Sequence, residues 1–65
     1  MNSVVAVRDL LMDDKVMPVN GVGKVFTVTD LHYDQGVVKT VTLWDGWREH
    51  VSREKTFVLT ARVWD

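Results

Sequence analysis

The chain has 65 residues, a formal charge of −1, 46% hydrophobic residues and no cysteine. That is material for one domain over residues 1–65, and it excludes disulfide staples and cysteine-based zinc sites. The apolar fraction and three tryptophans exclude a disordered tail, and the lack of a basic excess weakens any reading based on phosphate neutralisation alone.

Valine occurs 14 times and threonine 6 times, against two alanines and two glutamates. Branching at Cβ suits a pleated sheet and costs rotamer freedom in a helix, so the composition predicts an all-β fold. Turn signals at Asp13-Asp14, Asn20-Gly21, Asp34-Gln35-Gly36 and Asp45-Gly46 are spaced as in a small β domain. Val4–Val7 reads as a strand leading into a short helical turn near residues 9–12. The alternative is a helix capped by Ser3, but Asp13 and Asp14 would then lie at its negative end.

Lys15 to Val19 reads as a short strand, with Pro18 at an edge or at the strand's end because it lacks an N–H. Asn20 to Gly23 is a tight turn whose glycines can take positive φ. Lys24 to Tyr33 forms a long strand with large apolar groups on both faces, Val25 and Leu31 on one, Phe26 and Val28 on the other. Such a strand is expected to bend at a bulge and feed the core from both halves. Val37 to Trp44 follows, with Val37, Val41 and Leu43 inward. Asp45-Gly46 predicts a two-residue hairpin that sets Trp44 and Trp47 face to face, Trp47 packing inward with Val51 on a return strand Trp47–Val51. Thr56 to Trp64 alternates with period two, Phe57, Leu59, Ala61 and Val63 inward, and is expected to pair with Val4–Val7 and close the sheet.

Three groups carry a resemblance: Asp9-Leu10 with Asp14-Lys15-Val16, then Gly21-Val22-Gly23-Lys24-Val25, then Val41-Thr42-Leu43-Trp44-Asp45-Gly46. In this order they resemble small SH3-like β-barrels of the Tudor, KOW and CAP-Gly plan, which small proteins of bacteria and their phages share. The resemblance covers Val7 to Val63 and departs from the pattern at Asp13, where those barrels carry glycine. It implies a five- to six-stranded barrel and a binding module, with no catalytic residue carried over.

Little in the sequence points to catalysis. The two histidines, His32 and His50, have no partner at metal-ligand spacing. The aspartates fall at turns and strand ends, where they cap backbone amides. Ser3 and Ser52 lack a nucleophile motif, and Asn20 to Lys24 is too short for a phosphate loop and leads into a strand. No enzyme activity, metal or cofactor is expected. The candidate binding residues are Trp44, Trp64 and Tyr33, as aromatic anchors, with Arg48 and Arg62 beside them.

These residues suggest a protein partner. Together with His50, Arg53 and Lys55 they also suggest an alternative nucleic-acid surface, and the final strand Thr56–Trp64, if left at an edge, a seam for self-association. No apolar run approaches the roughly 18 residues of a membrane span, and Met1 to Arg8 has no signal-peptide pattern, so a cytoplasmic location is expected.

Overall fold

The computed structural model describes residues 3–20 and 23–63. It is all-β. The strands are β1 (Ser3–Ala6), β2 (Lys15–Pro18), β3 (Phe26–Asp34), β4 (Val37–Trp44), β5 (Glu49–Ser52) and β6 (Thr56–Ala61), with a 3-10 turn at Val7–Asp9. They form one antiparallel sheet in the order β1-β6-β2-β3-β4-β5. As expected, the last strand pairs with the first, Ser3 opposite Leu59 and Ala6 opposite Thr56. Barrel closure is corrected: no ladder joins β1 to β5 among the described residues, so the sheet curls but keeps two edges. The expected seam is corrected as well, because β6 lies between β1 and β2 and is not an edge.

Extra residues at three points decide which side chains enter the core. On β3, Val28 pairs with Leu43 and Asp30 with Thr42, leaving Thr29 between them. The alternation reverses there, so Val28 from the first half is buried and Leu31 from the second packs against the same core. On β4, Lys39 is the extra residue, between the pairs Tyr33–Val38 and His32–Thr40. It turns Val38 inward and leaves Val37 exposed, the reverse of uninterrupted alternation. On β6, Leu59 pairs with Val16 and Ala61 with Lys15, so Thr60 is extra and its hydroxyl donates to the Lys15 carbonyl at 3.0 Å. Beyond it, Ala61 and Val63 are exposed, not inward. Val7, Leu10, Val16, Val28, Val38, Val41, Leu43 and Phe57 make the core.

One charged side chain is sealed in this apolar setting. Asp14 is 0% exposed. Arg62 donates to it in a fork, Nε to Oδ1 at 3.0 Å and Nη2 to Oδ2 at 2.9 Å, and the Leu11 N–H donates to Oδ2 at 2.8 Å. Arg62 Nη2 also reaches the Asp9 carbonyl at 3.0 Å. The backbone of Asp13 and Asp14 is bonded to Val28: the Asp13 N–H donates to the Val28 carbonyl, and the Val28 N–H to the Asp14 carbonyl. Asp13 takes φ 69, a left-handed conformation that aspartate tolerates better than most residues. Thus the Asp13-Asp14 corner joins three parts of the fold: its backbone binds β3, and the Asp14 carboxylate ties the segment after the 3-10 turn to the far end of β6.

Removing one member of a buried, forked pair leaves the other charge poorly compensated. Arg62→Met is expected to cost about 3 kcal/mol, a large share of the roughly 3–10 kcal/mol available to a chain of this size. The double variant Asp14→Leu/Arg62→Met should lose less than the sum of the single losses, as read from denaturation midpoints.

Candidate interaction site

The loop between β4 and β5 is larger than the predicted hairpin. Trp44 pairs with Glu49, so residues 45–48 all lie in the connection. Asp45 organises it. Its Oδ1 accepts the N–H groups of Trp47 at 2.7 Å and Arg48 at 2.8 Å, and its own N–H donates to the Arg48 carbonyl at 3.1 Å. Gly46 takes φ 93, which a side chain would resist. Lys24 Nζ lies 3.8 Å from Asp45 Oδ2 and 5.6 Å from the Phe26 ring centroid, tying the loop to the start of β3.

This fixed loop and the end of β4 before it present two indoles. Trp47 is 86% exposed and Trp44 is 40% exposed. The inward packing expected for Trp47 is corrected: with two more residues in the loop it leaves the strand, and Trp44 faces Glu49 in its place. Val51, diagonal to Trp44 across the β4–β5 ladder and also exposed, extends the apolar surface along the sheet. Arg48 is exposed beside them.

The other candidate residues do not join this group. Tyr33 is exposed but sits opposite Val38, which stands six positions before Trp44 on β4, about 20 Å along the strand. Arg62 is committed to Asp14. Trp64 lies outside the described residues. Arg53 and Lys55 are exposed in the β5–β6 connection.

The histidines serve packing and hydrogen bonding. His32 Nε2 hydrogen-bonds Thr42 Oγ1 at 2.7 Å. His50, opposite the inward Leu43, meets the Phe26 ring edge-on, with centroids 5.4 Å apart and planes at 86°. Both rings line an open groove of about 400 Å3 between β5 and the Pro18–Phe57 end of β2 and β6. Among the described residues, no three His, Cys, Asp or Glu side chains come together as metal ligands would. Likewise no helix there is long and apolar enough to cross a membrane.

Asp45 could have been picked out from sequence, since aspartate before glycine favours a side-chain-capped turn. The exposure of Trp47 could not, because it depends on loop length. The Asp45 carboxyl is held below its ordinary value of 3.8, first by the Arg48 N–H, then by the Trp47 N–H, with Lys24 and His50 adding charge and desolvation opposing. A depressed folded-state pKa means that its contribution is complete above 3.8 and is lost as pH falls through the lower folded value. Asp45→Asn is therefore expected to be less stable than the native chain at neutral pH. The two pH–stability curves should converge below pH 3.8, as followed by tryptophan emission during denaturation.

Set beside known proteins, the chain matches no family model, no curated protein and no solved structure.

Proposed function

We propose that this domain is a non-catalytic interaction module that docks a protein partner on the β4–β5 loop, with Trp47 and Trp44 as anchors and Arg48 on the rim. The observation that carries this reading is Trp47, 86% exposed on a loop whose backbone is held by three hydrogen bonds centred on Asp45. An exposed indole contributes nothing comparable to the core, and a loop already fixed loses little entropy on binding. Indoles and arginines are the side chains that most often dominate interface energy.

The SH3-like plan belongs to the same proposal. It is supported by the long β3 bent at Thr29, the Asp45-Gly46 loop after Trp44, and the left-handed backbone of Asp13 where that plan has glycine. A cytoplasmic setting fits a chain without cysteine.

Trp47→Ala should leave stability within about 0.5 kcal/mol of the native chain, because the side chain packs against little. It should also weaken partner binding roughly thirtyfold, the effect of a hot spot of about 2 kcal/mol. Affinity capture from host extract with and without nuclease treatment, native chain against Trp47→Ala, checks both the residue and the class of partner. A protein retained only by the native chain supports the proposal. Equal retention by both, or retention that nuclease abolishes, overturns it.

A further inference from the structure

Three cations from distant parts of the sequence surround one apolar hollow at the opposite end of β4. The hollow holds about 320 Å3, floored by Ala6, Val7, Val37 and Val38 and rimmed by Arg8, Lys39 and Lys55. The fold itself assembles it. The 3-10 turn packs against β4, and the Val7 N–H donates to the Lys55 carbonyl at 2.8 Å, bringing the β5–β6 connection alongside. The extra residue at Lys39 buries Val38 and leaves Val37 partly open at the mouth.

The electrostatics are one-sided. No carboxylate lines the hollow, although Asp34 stands opposite Val37 in the ladder. The side chains of Arg8, Lys39 and Lys55 form no hydrogen bond or ion pair with the described residues. Three like charges are thus gathered on a chain whose net charge is −1. Their mutual repulsion falls when an anion enters.

We propose that this hollow binds an acidic protein segment, with an aliphatic side chain on the valine floor and flanking carboxylates on the three cations. The volume suits a side chain or two, at the small end of binding pockets. The floor is aliphatic and no aromatic ring lines it, so it offers nothing for base stacking and favours a peptide over single-stranded nucleic acid. The site stands apart from the tryptophan loop, about 20 Å away along β4, and does not depend on it.

The test is fluorescence anisotropy of the full chain with three labelled probes: a short peptide of leucine and glutamate, the same peptide with lysine for glutamate, and a single-stranded oligonucleotide. The expected result is saturable binding of the acidic peptide alone, weakened by salt. Lys39→Glu/Lys55→Glu should weaken it by roughly tenfold or more, Lys39→Gln/Lys55→Gln by less, and Trp47→Ala not at all. Circular dichroism confirms that each variant is folded, and the glutamine pair carries the test if charge reversal unfolds the chain. Absence of acidic-peptide binding, equal binding of the lysine peptide, preference for the oligonucleotide, or indifference to both double variants would overturn the proposal.

Discussion

Burying a carboxylate in a domain this small is the constraint around which the rest is arranged. Asp14 has lost all contact with solvent, and its two oxygens are satisfied by Arg62 and the Leu11 N–H. Each partner belongs to a segment that the sheet's hydrogen bonds alone would leave loose: the link after the 3-10 turn and the chain beyond β6. Such a pair adds little net stability over a well-packed apolar substitute, because desolvating two charges is costly. Its effect is to define geometry, since only one placement of the chain end returns the guanidinium to that carboxylate. The extra residue at Thr60 belongs to the same arrangement, ending the regular alternation of β6 just before Arg62 turns toward Asp14.

The strands themselves were readable in the sequence. β-branched runs and Asx-Gly turns locate β2, β3, β4 and β6 closely, because these signals are local. The bulge in β3 was also readable, from bulky groups on both faces of one strand. Single extra residues at Lys39 and Thr60 were not, since nothing in Val37-Val38-Lys39-Thr40-Val41 says which valine turns inward. The pairing across the sheet decides that. The roles of Arg62 and Trp47 were misread for a related reason. One depends on a contact across 48 positions and the other on two additional loop residues.

The same local irregularities create the surfaces. A loop of residues 45–48 in place of a two-residue turn takes Trp47 off the sheet and into solvent. The extra residue at Lys39 exposes Val37 at the mouth of the cationic hollow. Departures from ideal β geometry therefore lie at both ends of β4, while its middle, Val41 to Leu43, is wholly buried. A rigid central strand with a candidate recognition feature at each end holds the two at a fixed spacing. A partner touching both would gain from that spacing without ordering the domain further.

The sheet's open edges bear on whether such a domain stays monomeric. Among the described residues both edge strands, β1 and β5, are four residues long, a short ladder for a second chain to extend. They differ in chemistry. β5 carries Glu49 and His50 and runs into Arg53 and Glu54, charges that discourage edge-to-edge pairing. β1 is Ser-Val-Val-Ala, with an exposed Val4 and no charge within the strand. Arg8 follows directly in the 3-10 turn, and Lys55 is drawn beside it by the Val7 hydrogen bond. Two copies meeting in parallel at β1 would bring these cations side by side, whereas an antiparallel pairing centred on the strand would set them at opposite ends of the ladder. The cationic hollow and the uncharged edge are thereby coupled in one sense only: the charges that suit an acidic partner oppose parallel self-pairing at β1, and antiparallel pairing there has only a short strand to build on.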